Sequence, residues 1–219
     1  MIYRITSQND EKLQGYYDTA LKELNDFYGI NWVRNLPRLI IVDNRKSIDA
    51  LFGKKSEGWM IGWSENNNIY VLDKAKFSNE SDHKEYSDEE YAMLIKHEMS
   101  HSFSSILAKG EVKPKWLWEG IAIYTAGQNS LRTKPDKFKG FLEHFDNGGK
   151  DVYTEAGFAV QLLVEKFGKQ KILTLISSSK NNSKAEFCVT FKSIFCFDPT
   201  YEEFDQIASE LRSRDIDVC

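Results

Sequence analysis

The sequence predicts an α+β fold, with a small sheet-bearing N-terminal lobe, one long central helix and a mostly helical C-terminal lobe. Three observations carry this. Short apolar runs bounded by turn residues fall only in the first third of the chain. A capped stretch of helix length occupies the middle, and nearly everything after Pro114 reads as helix. The chain has 219 residues, 41% apolar and 28% charged. That suffices for a real core in one domain, residues 1–219, in which 1–110 form the sheet lobe with the central helix and 111–219 the helical lobe.

The first helix lies in "NDEKLQGYYDTALKELNDFYGI", where Leu13, Tyr17, Ala20, Leu24 and Phe27 share a face and Gly29 is the stop. After Pro37, "RLIIVD" reads as a buried strand. "WMIGW" (59–63) and "IYVL" (69–72) flank "SENNN" and read as two further strands joined by a turn. The polar stretch 77–90 reads as a surface loop. Ser87 and Glu90 then form a capping box for a helix over about 88–109, stopped at Gly110. Helices follow in "PKWLWEGIAIYTAG", "DKFKGFLEHF", "TEAGFAVQLLVEKFG", "KQKILTLIS", "KAEFCVTFKSIF" and "YEEFDQIASELRS".

Several classes are set aside by bulk properties. Net charge is −4 with scattered basic residues, which gives no footprint for nucleic acid or an anionic membrane. The start carries no basic segment followed by an apolar core, and no run is long and apolar enough for a membrane span. Cys188, Cys196 and Cys219 are odd in number and poorly spaced for a structural zinc site, so they read as reduced thiols. A cytoplasmic protein is the expectation.

The central helix contains "HEMSH". At 3.6 residues per turn, His97 and His101 lie on nearly the same side, one turn apart, and both imidazoles can reach one cation. Glu98 sits about 100° round from His97, beside such a cation, where a carboxylate can take a proton from water without becoming a ligand. Two packing histidines with a solvated glutamate are the plainer reading, but the full pattern on an independently inferred helix favours zinc. The metzincin continuation needs glycine at 104 and histidine at 107; Ser104 and Leu107 exclude it.

Catalytic zinc takes three protein ligands and leaves a fourth position open. Glu119 in "WLWEGIAIY" is the candidate for the third. It sits among Trp116, Leu117, Trp118, Ile121 and Ile123, where an unpaired carboxylate is costly and a metal removes the cost. His144 is the main rival.

"HEMSH" followed by "WLWEG" resembles the gluzincin zinc peptidases. "WLWEGIAIYTAG", "YTEAGFAVQLLVEKFG" and "FKSIFCFDPTYEEF" are similar to the peptidase MA-like group within them, so the resemblance spans residues 37–210. It implies a zincin-like fold with one catalytic Zn2+ between the lobes, held by His97, His101 and Glu119, with Glu98 as general base and a peptide or protein as substrate. It also implies Tyr153 as a donor to the developing oxyanion, with Tyr124 and His144 as alternatives and a packing tyrosine as the plainer reading. An exposed strand edge would pair with the peptide backbone, and Gly58, Trp59, Met60 and Ile61 are the candidates, unless they form an ordinary sheet strand. One departure is that Ile123 stands where some gluzincins carry an aspartate, so the partner that orients a ligand histidine must come from elsewhere. A non-catalytic zinc scaffold and a proteolytic effector with one narrow macromolecular target are the alternative functions.

Overall fold

Elements follow from local chemistry before packing arranges them. The computed structural model describes residues 7, 9–83 and 86–216; Cys219 lies outside these. Helix α1 (Glu11–Tyr28) starts at Asp10, whose carboxylate accepts from the Lys12 and Leu13 amides, and ends at Gly29 with φ 65°. Strand β1 is Arg38–Val42, β2 is Gly62–Glu65 and β3 is Asn68–Leu72. β3 lies in the middle, parallel to β1 and antiparallel to β2. Asn66 and Asn67, both with positive φ, make the two-residue turn between β2 and β3. β2 is therefore an edge strand, and its neighbour beyond the sheet is the central helix.

That helix, α4 (Asp88–Ala108), has the capping box at Ser87 and Glu90 that its sequence foretells, worth about 0.5–2 kcal/mol. It buries Tyr91, Leu94, Ile95, Met99, Phe103 and Ala108 and packs against α1, β2 and β3. Its buried positions go round much of the helix, as a helix in the middle of a core requires. A chain of hydroxyls ties it to its neighbours: Tyr28 Oη lies 2.8 Å from both Ser100 Oγ and Ser104 Oγ, and Thr125 Oγ1 donates to Ser100 at 2.9 Å.

The second lobe comprises α5 (Lys115–Thr125), α6 (Gly157–Phe167), α7 (Lys169–Ser177), α8 (Lys184–Phe195) and α9 (Tyr201–Ile216). Fully buried Trp116 of α5 meets the rings of Phe141, Phe187 and Phe204 edge-on, which joins the helices into one core. The architecture is α+β and mostly helical, with three strands and nine α-helices among the described residues. No helix among the described residues is long and apolar enough to cross a membrane.

Three local expectations change, and one helix stands where none was expected. An eight-residue helix, α2 (Arg45–Phe52), follows β1, capped by Asn44 and closed by Gly53 with φ 73°. Residues 59–61 are not strand: the Arg45 guanidinium gathers the carbonyls of Glu57, Gly58 and Met60, and the Met60 amide donates to Glu57 O at 3.0 Å, so the chain turns there. Residues 77–90 are not wholly a surface loop. Phe77–Glu80 form the short helix α3, and Phe77 is fully buried against Tyr86 and Tyr91. "DKFKGFLEHF" is not a helix beyond a single 3-10 turn, Phe141–Glu143. The buried Glu155 carboxylate accepts from the amides of Lys139, Gly140 and Phe141 at 3.2, 3.0 and 3.2 Å, a convergence of backbone donors that an α-helix forbids.

Candidate metal centre

The spacing on α4 sets two imidazoles side by side, and α5 brings a carboxylate to them. The rings of His97 and His101 are 4.8 Å apart and mutually perpendicular. Glu119 Oε2 lies 3.3 Å from His97 Nε2 and 3.6 Å from His101 Nε2. The ligand atoms of the three residues all lie within 4.8 Å of one another, and all three residues are buried. This group could hold a metal ion. His144, the rival third ligand, is elsewhere: its Nδ1 meets Asn147 O at 3.2 Å, and it does not belong to the group.

The electrostatics suit a cation. Burial opposes the charge on Glu119, but the hydrogen bond and charge of His97 and the Lys115 ammonium outweigh it and hold the carboxyl well below its usual range. Lys115 Nζ is 3.0 Å from Glu119 Oε1, which leaves Oε2 to the imidazoles. Burial pushes His101 down to about 3, so its ring is neutral and can ligate. For His97 burial also disfavours the charge, yet Glu119 and Glu98 prevail and raise it, so a metal would displace a proton there. His101 Nδ1 is buried without a hydrogen-bond partner among the described residues, while its Nε2 faces Glu119.

Glu98 stands beside the group. It is buried, and burial raises its carboxyl to about 7, opposed by His97 and Lys115 and reinforced by Glu119. Gly62 of β2 abuts it: a Cβ there would be 3.0 Å from Glu98 Oε1. The strand and the carboxylate therefore share one wall of the site. A cavity of about 300 Å³ opens next to His101, lined by Trp32, Ser64, Glu65, Ser105 and Trp118 among others. Trp118 stacks on the His101 ring at 4.5 Å and 9°, which fixes the ring plane.

Tyr153 falls in a π-helical turn, Val152–Ala156, that runs into α6. Burial raises its phenol above the usual range, and the Glu119 and Glu98 carboxylates add to this, so the residue shares the field of the site. Tyr124 packs its ring on Phe27 at 6.0 Å, and its phenol feels Glu165 rather than the site carboxylates. Of the proposed strand residues, only Ile61 bonds to the sheet, accepting from the Leu72 amide at 2.8 Å just before β2 begins; Gly58, Trp59 and Met60 sit in the turn held by Arg45.

Three further residues complete the surroundings. Gln128 Oε1 is 3.0 Å from His97 Nδ1 and supplies the orienting partner that Ile123 does not. Lys115, one helical turn before Glu119, was discoverable from its i,i+4 spacing. Gly62 was visible only as a glycine inside a strand pattern, a sign of close backbone approach. No family model, curated protein or solved structure matches the chain.

Proposed function

We propose that the chain is a zinc-dependent peptidase of the gluzincin kind with a zincin-like fold, in which His97, His101 and Glu119 hold one Zn2+. The observation that carries this reading is the place of Glu98: buried beside the metal-ligand group and outside it. A structural site has no use for an ionisable group there and fills its fourth position with another protein ligand. A general base beside the metal is what proton transfer needs.

Bound zinc supplies Lewis acidity, polarising a carbonyl and lowering the pKa of water to about 7. The chain's own residues do the rest. Glu98 takes the proton of the attacking water and delivers it to the departing amine. Tyr153, its hydroxyl kept protonated by burial and nearby carboxylates, donates to the oxygen on which negative charge develops. Gln128 orients His97, and Lys115 fixes Glu119. The free edge of β2, Gly62–Glu65, pairs with the peptide backbone, beginning just past the candidates Gly58–Ile61.

The test is cleavage of a diverse peptide mixture, read by mass spectrometry, with zinc-loaded wild type beside zinc-loaded Glu98→Gln. Cleavage by the wild type alone supports the peptidase and the base. Equal cleavage by both defeats the mechanism. Silence from both, with zinc bound, assigns the site to a non-catalytic scaffold or to a single macromolecular target.

A further inference from the structure

Arg132 closes the short 3-10 turn Gln128–Leu131 that follows α5. Its Nη1 donates to the Gln128 carbonyl at 2.7 Å, and the side chain of the same Gln128 meets His97 Nδ1 at 3.0 Å. One residue thus ties the guanidinium to the metal-ligand group. Arg132 is partly buried, and burial disfavours its charge. Even so, no carboxylate among the described residues lies within ion-pair distance of it. Among the described residues, the hydrogen-bond partners of its donor fork are limited to the Gln128 carbonyl.

The groups that feel its charge are Tyr86, Tyr153 and His97, none of them an anion near neutral pH. The ligand carboxylate, Glu119, is already engaged. Glu119 is met by His97, His101 and Lys115, and Glu98 lies against Gly62. Exposed Trp59 leans on the Tyr153 ring at 6.1 Å, and its carbonyl is bonded by His83 Nε2 at 2.9 Å, with Tyr86 Oη on the other ring nitrogen at 3.3 Å. These residues form an aromatic cluster, and the Arg132 charge is felt by two of them, Tyr86 and Tyr153. The guanidinium fork matches a carboxylate in a planar, bidentate way. A single guanidinium suits a monoanion better than a phosphate dianion, and Lys115, the cation beside Glu119, is held by that carboxylate.

We propose that Arg132 binds a carboxylate of the peptide substrate, either its C-terminus or an Asp or Glu side chain near the cleaved bond. This deepens the peptidase reading and rests on it.

The experiment uses synthetic heptapeptide pools with the C-terminus free or amidated, crossed with acidic side chains present or replaced by their amides. Zinc-loaded wild type, Arg132→Gln and Arg132→Lys are compared by kcat/KM, with zinc content and melting temperature checked for each. Masking the carboxylate that Arg132 reads should lower wild-type kcat/KM roughly 10- to 100-fold, the scale of a hydrogen bond to a charged group. The arm that shows the loss names the source. Arg132→Gln should cut free and masked pools at equal rates, and Arg132→Lys should keep part of the preference, having the charge without the fork. Equal rates on all pools by the wild type, or a preference surviving in Arg132→Gln, overturns the proposal while leaving the peptidase intact. Cleavage of no pool at all is failure of the peptidase reading, and binding of the same pools to zinc-loaded Glu98→Gln then decides. Carboxylate-dependent binding that disappears in the Glu98→Gln, Arg132→Gln double variant supports the role of Arg132; equal or absent binding overturns it.

Discussion

Gly62 presses its backbone against the carboxylate of Glu98: a Cβ at position 62 would stand 3.0 Å from Oε1 and 3.1 Å from Cγ. The edge strand thereby sets where the carboxylate can be. A methyl group at 62 forces Glu98 to yield by a few tenths of an ångström while leaving His97, His101 and Glu119 in place. Gly62→Ala should therefore retain zinc and lower kcat by about tenfold, since a misplacement of about 1 Å costs on the order of 100-fold. Zinc stoichiometry beside steady-state cleavage checks this. An unchanged kcat would separate the strand contact from catalysis.

Gln128 accounts for the orientation of His97. With its side-chain oxygen 3.0 Å from Nδ1, the proton belongs on Nδ1 and the Nε2 lone pair faces the ligand group. Gln128→Ala removes that acceptor and should weaken metal affinity by about 10- to 100-fold, measured by competition with a chelator. Gln128→Glu, which keeps an acceptor, should recover most of the loss. Equal affinities in all three proteins would show that Trp118 packing and α4 geometry orient the histidines unaided.

What was legible in the sequence was what is local. The α4 capping box, the i,i+4 histidines and the Gly29 stop each depend on residues within a turn of one another, and the structure has them there. Glu119 was reachable because a carboxylate in an apolar helix needs a partner. Gln128 and Arg132 were not reachable, since their relevance arises only when the turn after α5 folds back on α4. The turn at Gly58–Met60 was missed for a similar reason: Arg45, distant in sequence, outcompetes strand pairing for those carbonyls. Residues 136–145 carry helical spacing, but Glu155 captures their amides from the start of another helix.

Asp88 joins three elements at the start of α4. It receives Lys12 of α1 and Lys74 of the turn after β3, and hydrogen bonds from these ammonium groups lower its carboxyl from 3.8 to about 2. The folded state thus prefers the ionised form, so the stabilisation is present above the ordinary carboxylate range and disappears as pH falls from about 4 to about 2. The position at a helix N-terminus has the same sign. Asp88→Asn should unfold at lower urea than wild type near neutral pH, with the gap closing in acid. The effect should be small, because the pair is exposed. A gap that persists below the folded value would place its origin in packing instead of charge.

Tyr153 poses the sharpest test of the mechanism. Its phenol is raised by burial and by the Glu119 and Glu98 carboxylates, so it stays protonated over the working pH range and acts only as a donor toward new negative charge. Phenylalanine preserves the ring that meets Trp59 at 6.1 Å and removes the donor alone. If the hydroxyl bonds the oxyanion, Tyr153→Phe should lower kcat by about 100- to 1,000-fold, with zinc content and KM nearly unchanged, because the lost contact exists only in the transition state. A rise in KM with kcat intact would make Tyr153 a wall of the substrate cleft. No change in either would move the donor role to Lys115, the nearest remaining cation, whose ammonium at 3.0 Å from Glu119 already stands at the rim of the ligand group.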